Sequence, residues 1–396
     1  MSRKYSLKFV LTLMLIASAL TCTFFLFGPG RGLALSGGRY DAANAFSSLL
    51  EQIDELYIGE YTEADLTSAA MHAAVTALDD RWSYYMTDAE YAEYLNHASN
   101  QYVGIGIGVE IDDTIGGLRV LSVYPGSSAE KAGLTAGDVI TAVDDIDVTQ
   151  MALDEITAIM AREVGGSLVL LVLREDSRTE TITAVYDYVY KDPVSYEMLP
   201  ELVGYIKIEN FDSGAASSFI SAVSELIDGG ATAFVFDVRN NGGGLVSELT
   251  KMLDCLVDDC EVFVAVKKGG EEDVSWASPN SSVNLPITVL VNRYSYSAAE
   301  YFAAMLREYG MADIVGEQTT GKNRSQITIP LPDGGALHIS SGEYLTKNRV
   351  SLTEVGGLTP DYPVTVTDEE FAALYYGKLA KADDTQLQKA LEMPKK

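Results

Sequence analysis

Cysteine, histidine and basic side chains are all scarce in this chain of 396 residues. It carries three Cys, three His, and 28 Lys and Arg against 57 Asp and Glu, for a formal charge of −29. Cys22, Cys255 and Cys260 are too few to build a disulfide scaffold. His72, His97 and His338 leave few ligand sets for a zinc enzyme and argue against most of that class. The acidic excess repels phosphate backbones and argues against nucleic acid as a partner. Only 11 Pro and 34 Gly accompany a 47% hydrophobic composition, which excludes a collagenous, low-complexity or wholly disordered chain. The length allows two or three domains of roughly 100–200 residues.

Long apolar runs are absent but for one. Arg3, Lys4 and Lys8 precede an uncharged stretch from Phe9 to Phe27. As a helix it spans about 28 Å, close to the ~30 Å hydrocarbon core. It lacks an Ala-x-Ala exit, and Ala19-Leu20-Thr21-Cys22 is a poor lipobox. It reads as an uncleaved single-pass anchor, with a cleaved signal peptide as the alternative. The basic flank puts the amino terminus in the cytoplasm and the rest of the chain outside. An exported location permits a disulfide between Cys255 and Cys260, and two free thiols is the other reading.

The pattern divides the chain into an anchor and Gly-rich spacer (1–38), a helical region (39–100), a β-rich module (101–188), an α/β core (189–378) and a polar tail (379–396) expected to fray. In the module, short strands are expected at Leu118–Val123, Val139–Val143, Leu168–Leu173 and Thr181–Val185, with a helix near Leu153–Arg162. Beyond Leu202, strands and helices alternate, as in a mixed α/β fold. Asp333-Gly334-Gly335 reads as a hairpin turn.

Three segments of the core carry candidate chemistry. In the first, the strand ending Phe236-Asp237-Val238 runs through Arg239-Asn240-Asn241 into Gly242, Gly243 and Gly244. A glycine loop of this kind aims backbone N–H groups at an anion, either a phosphate or the oxyanion of acyl transfer. The phosphate reading lacks Gly-Lys-Ser/Thr and meets the wrong net charge. In the second, Ser297-Ala298-Ala299-Glu300 opens a helix. It is either a Ser-x-x-Glu capping box or a nucleophile beside the N–H of Ala298. In the third, Thr320-Gly321-Lys322 offers either a solvated loop lysine or a general base, if desolvation and Arg324 lower its pKa. Cys255 is a poor nucleophile, because Asp254, Asp258 and Asp259 disfavour its thiolate.

Residues 102–188 resemble a PDZ domain. The opening Tyr102-Val103-Gly104-Ile105-Gly106-Ile107 and the run Ala132-Gly133-Leu134-x-x-Gly137-Asp138-x-Ile140 carry that likeness. Gly104, Ile105, Gly106 and Ile107 are then the residues that receive a peptide carboxylate. Asp144-Asp145 stand where many PDZ domains have Gly. Residues 40–366 as a whole resemble the carboxyl-terminal processing serine peptidases. The matching segments are Leu78–Met86, Asp237–Asn241, Ser297–Glu300, Val315–Lys322 and Gly357-Leu358-Thr359-Pro360-Asp361. Arg81 stands where that family has Pro, and Gly242 where Pro is common.

The resemblance implies a crotonase/ClpP-like core and a Ser297–Lys322 dyad, with Gln326 as the third polar residue and no metal or cofactor needed. It implies an oxyanion hole from Ala298 and Gly243, with Gly242 or Gly244 as alternatives for the second donor. If residues 322–326 were fully extended, Lys322 and Gln326 would stand ~13 Å apart, so a turn over Asn323–Ser325 is expected. The implied partners are proteins with apolar carboxyl termini, and the resemblance allows a homodimer. Two other readings were weighed: a catalytically silent PDZ adaptor outside the membrane, which should have lost Ser297 or Lys322, and a polysaccharide hydrolase, for which no carboxylate pair stands out.

Overall fold

A computed structural model describes residues 37–279 and 283–393. The expected anchor, Phe9–Phe27, lies outside the described residues. Among those described, no helix is long and apolar enough to cross a membrane. The chain divides into two compact units, 1–74 and 75–396. The first contains the helix Gly37–Leu56 and most of Glu63–Thr76. The second unit carries the chemistry.

Its centre is a six-stranded sheet. Val194–Leu199 pairs antiparallel with Val203–Ile208, and Ala233–Asp237, Ile287–Val291, Ala312–Gly316 and Tyr362–Pro363 follow in parallel. The middle strands are buried on both faces, as parallel strands must be when helices cover them. Alternation sorts their side chains. Phe234, Phe236, Val289 and Val291 join Phe219 and Phe302 on the face covered by the helices Ala215–Asp228, Val246–Leu256 and Ala298–Glu308. Val235, Leu290 and Val315 pack on the other face against Leu387 and Ala390. The segments after Asp237, Val291 and Gly316 therefore leave three adjacent parallel strands at their carboxyl ends, where open α/β sheets place their sites.

A second sheet holds Tyr84–Met86, Glu261–Lys267, Glu272–Trp276 and the hairpin Arg324–Pro330/Ala336–Leu345. The hairpin turns at Asp333-Gly334 as expected, with Gly334 at φ +90°. Cys255 and Cys260 are free thiols. Burial, then Asp254, pushes the Cys255 thiol up to about 12.

The β-rich module has its own core of Leu118, Ile140, Ile156, Leu168 and Leu170. Six strands, Ile107–Ile111, Leu118–Val123, Val139–Val143, Ile146–Asp147, Ser167–Leu173 and Thr179–Val185, form its sheet, and the helix Leu153–Met160 packs on it. Its entry strand Gln101–Gly104 pairs with its exit strand Asp187–Tyr190, so the chain leaves and rejoins the core at one place. The Asp144-Asp145 departure has a physical reason. Both residues take positive φ, 47° and 67°, in a two-residue hairpin turn that Asp tolerates. The Asp144 carboxylate accepts from Val169 N–H at 2.9 Å and pairs with Arg162, supplying contacts a glycine could not.

The carboxyl-terminal segment corrects the expectation of fraying. Thr385–Leu391 is a helix capped by Asp384, and Leu387, Ala390 and Met393 are buried. The cause is Arg239, 2% exposed, whose guanidinium bonds Asp237 and Asp384 and donates to Gln386 Oε1 at 3.1 Å. A buried cation needs both carboxylates, and Asp384 is the one only the tail supplies. Asp384→Ala is expected to cost about 3 kcal/mol, because it strands part of a buried charge. An unchanged thermal unfolding midpoint in that variant would show that the tail is not clamped in this way.

Candidate active site

Ser297 heads the helix Ala298–Glu308 with φ 59° and ψ −124°, and its side chain makes no capping bond. The capping-box reading therefore fails. A non-glycine residue held at positive φ costs about 1–3 kcal/mol and persists only where its surroundings over-determine it. Here Tyr296 N–H donates to Asn241 O at 3.1 Å, and every residue from Ala298 to Leu306 is buried. Ser295, two residues earlier, is fully buried and consumed: its hydroxyl donates to Val238 O at 2.7 Å and accepts from Asn292 N–H.

Glu300 does something the capping box did not anticipate. Its buried carboxylate accepts from Thr319 Oγ1, from Gly321 N–H at 2.7 Å and from Lys322 N–H at 3.0 Å. Burial pushes its pKa up while those donors favour the anion. The helix that begins at Ser297 is thereby fastened to the loop that carries Lys322.

Lys322 is 9% exposed and forms no ion pair among the described residues. Desolvation lowers its pKa to about 8; the carboxylate of Asp80 works against that shift and the guanidinium of Arg81 works with it. Its Nζ lies 4.3 Å from the centroid of the Trp82 ring. No hydrogen bond joins Lys322 Nζ to Ser297 Oγ among the described residues. Buried Tyr344 stands beside Ser297, and its hydroxyl donates to Lys322 O. His338 is held at about 4, first by burial and then by the charge of Lys322.

The glycine loop lies against the serine. A Cβ on Gly243, at φ +93°, would stand 2.7 Å from Ser297 Cβ, 2.9 Å from Ala298 N and 3.0 Å from Ser297 Oγ. Only glycine leaves that space open. The N–H of Ala298 donates to no acceptor among the described residues. Gly243 departs from expectation as an oxyanion donor, because its N–H already donates to Asn241 Oδ1 at 2.8 Å. The N–H groups of Gly242 and Gly244 have no such commitment among the described residues.

Gln326 is not brought to the pair. No turn forms over Asn323–Ser325. The strand Arg324–Pro330 starts there and absorbs the irregularity as a bulge between Ser325 and Gln326. Gln326 Nε2 donates to Arg324 O and Ser340 Oγ, both at 3.1 Å. Pairing with Ala336–Leu345 satisfies the backbone better than an isolated turn would.

Trp82, Tyr344 and the anchoring role of Glu300 escaped the sequence reading. Trp82 sits in the segment Leu78–Met86, so the likeness of that segment marked the region without assigning it a part. Tyr344 had no signal at all. In the PDZ-like module, Ile105 O and Gly106 O accept from Ala129 and Tyr124, fixing the loop, while the N–H groups of Ile105 and Gly106 donate to no described acceptor. Gly104 and Ile107 are the strand ends on either side of them. Among the described residues no group of three or more His, Cys, Asp or Glu is placed to hold a metal ion.

Comparison with known proteins agrees with this architecture. The profile of Peptidase family S41 matches residues 202–364, and a PDZ domain profile matches residues 119–175. The carboxyl-terminal-processing protease of Picosynechococcus sp. is 30% identical over 329 residues, covering 82% of this chain and 78% of that one. The carboxy-terminal processing protease CtpA of Bacillus subtilis is 29% identical over 395 residues, covering 97% and 83%. A solved structure from Bacteroides fragilis assigned to the S41 proteases shares the fold, with a TM-score of 0.56 at 19% identity over 85% of this chain and 90% of that one. With the Picosynechococcus relative 30% identical and matched over most of both lengths, the chain belongs to the carboxyl-terminal processing serine proteases of peptidase family S41, equipped with a PDZ domain.

Proposed function

We propose that this protein is an exported endopeptidase that captures protein carboxyl termini through its PDZ domain and cleaves peptide bonds with a Ser297–Lys322 dyad. The observation that carries the reading is the strained, uncapped Ser297 beside the open N–H of Ala298, fastened through Glu300 to a buried lysine with a lowered pKa. Anchoring by Phe9–Phe27, an extracytoplasmic catalytic part and assembly as a homodimer belong to the same proposal and rest on sequence alone.

In this mechanism Lys322 leaves the face of Trp82 as a neutral amine and takes the proton of Ser297 Oγ. The oxygen attacks the scissile carbonyl, and the carbonyl oxygen becomes an oxyanion held by the N–H of Ala298 and an open N–H of the glycine loop, Gly242 or Gly244. The C–N bond breaks as Lys322 returns its proton to the leaving amine. Lys322 then deprotonates a water that attacks the acyl-enzyme, and Ser297 leaves with the proton. Trp82 excludes water from the amine and stabilises its charged form, so it works against the neutral base while keeping it dry. Substrates with apolar carboxyl termini are bound at Gly104–Ile107. Gln326, bonded to Arg324 O and Ser340 Oγ, takes no part in these steps.

The test is cleavage of an unstructured protein with an apolar tail. Ser297→Ala and Lys322→Ala are each expected to lose about a thousandfold or more. Equal cleavage by both variants and the parent would remove these residues from the mechanism.

The acid limb of kcat/KM should report Lys322. Below about pH 8 the amine is protonated and cannot accept the serine proton, so activity rises with pH through about 8 and levels above it. Arg81 lowers that pKa, so Arg81→Ala is expected to move the limb to higher pH. A limb that does not move would exclude Arg81 as a contributor.

Stability should also rise with pH, over the window just above the activity limb. The unfolded lysine titrates near 10.4, so the unfolded chain binds more protons between about pH 8 and 10.4 and stability rises across that window. Below it the buried charge opposes folding in full. Lys322→Met is expected to gain about 1–3 kcal/mol at pH 7 while abolishing cleavage, as read from the unfolding midpoint and the same assay.

A further inference from the structure

A cleft of about 580 Å³ adjoins the glycine loop, lined there by Gly242, Gly243, Gly244 and Tyr296, the residue before the nucleophile. It is also lined by His97, Asn100, Asn210 and Asp212. The Asp212 side chain is 13% exposed, and its carboxylate accepts no hydrogen bond from any described residue. Its one ionic neighbour is His97 Nδ1 at 3.7 Å, on a side chain 81% exposed and therefore screened by water. The other charged groups of the cleft, Lys191 and Glu209, pair with each other. Among the described residues, Asp212 has no buried counter-charge.

Its position is built. Asn210 Oδ1 accepts from Asp212 N–H at 2.9 Å, Asn210 Nδ2 donates to Asn100 Oδ1 at 2.7 Å, and Asn100 Nδ2 donates to Ser213 O at 3.0 Å. This network fixes the backbone on both sides of Asp212 and leaves its carboxylate oxygens unused. Burial pushes Asp212 up to about 6, with His97 pulling the other way, so at neutral pH the group is an anion held against its desolvation cost. Such costs are found where the charge has a task. A lone carboxylate is too few ligands for a hard metal ion, but it suits a single ammonium or guanidinium.

We propose that this cleft is a substrate subsite in which Asp212 receives a lysine or arginine side chain of the peptide, at one fixed position relative to the bond presented to Ser297. The inference rests on the proposed function above for the identity of the ligand as a polypeptide. It adds a basic requirement near the reacting bond to the apolar requirement at the carboxyl terminus, so two separate features of the substrate would be read.

The experiment uses the Ser297→Ala chain, which binds without consuming its ligand. Unstructured peptides share one apolar carboxyl terminus, and a single lysine or glutamine is moved through their internal positions. At one position or two adjacent ones, the lysine peptide is expected to bind about tenfold more tightly, the size of one charge-assisted hydrogen bond. Adding Asp212→Asn is expected to erase that difference. Equal binding of the lysine and glutamine series, or binding of neither, overturns the subsite, and this arm needs no change at Asp212. A preference that survives Asp212→Asn also overturns it. Cleavage of the same peptides by the parent separates the two proposals. Cleavage without a lysine preference removes only the subsite, whereas a lysine preference in binding without any cleavage removes the dyad and leaves the subsite.

Discussion

The buried carboxylate of Glu300 is the constraint on which the site depends. It lies one helical turn after Ser297 and takes donors from Thr319, Gly321 and Lys322, so one side chain sets the distance between the element that presents the serine and the loop that presents the lysine. Thr319 Oγ1 also accepts from Leu358 N–H at 2.7 Å, which brings the segment Gly357–Asp361 into the same arrangement. Desolvating a carboxylate is expensive, and three donors are what make it tolerable here. Loss of any one of them would loosen two loops at once.

The second constraint is the handling of charge around a lysine in a chain with a formal charge of −29. A buried amine in such company would be expected to find a carboxylate and stay protonated. Asp80 is near enough to act on Lys322, yet its oxygens are already occupied by Ser83 Oγ, the N–H of Trp82 and Arg324. Burial works to raise the Asp80 pKa, but donors including Ser340 and Ser83 bring it to about 2. What Lys322 meets instead is the face of Trp82, with Arg81 stacked on the same ring at 4.2 Å. An aromatic wall keeps water away without supplying a fixed negative charge.

The PDZ module is attached so that it borders this chemistry. Its entry and exit strands pair, and residues of that junction, Gln101, Tyr102 and Lys191, line the cleft that reaches the glycine loop. The module's junction and the glycine loop beside Ser297 thus present neighbouring surfaces of one unit. Asp212 belongs to the core side of that cleft, where backbone contacts from Asn100 and Asn210 hold it.

Much of this was legible in the residue order. The alternation beyond Leu202 marks the α/β core because strand and helix periods differ. The glycines at 242–244 mark a close approach, and the likeness of the segments around Ser297 and Lys322 to the family's favours that serine over Ser295. The Asp333-Gly334 hairpin follows from local backbone preference alone. The tail was misread for the opposite reason: its polarity is local, whereas the two carboxylates that buried Arg239 needs lie 147 residues apart, at Asp237 and Asp384. The Lys322–Gln326 turn was likewise a local expectation that strand pairing with Ala336–Leu345 overrode. Trp82, Tyr344 and Asp212 left no pattern, because nothing in their neighbours encodes which distant loop they will meet. Residue order determined the elements and the glycine loop, since these depend on backbone preference and short spacings. Which acid fastens the loops, which ring dries the amine and which carboxylate has no buried counter-charge were decided only when the tertiary structure closed, because desolvation and charge pairing are properties of the assembled interior and not of a stretch of chain.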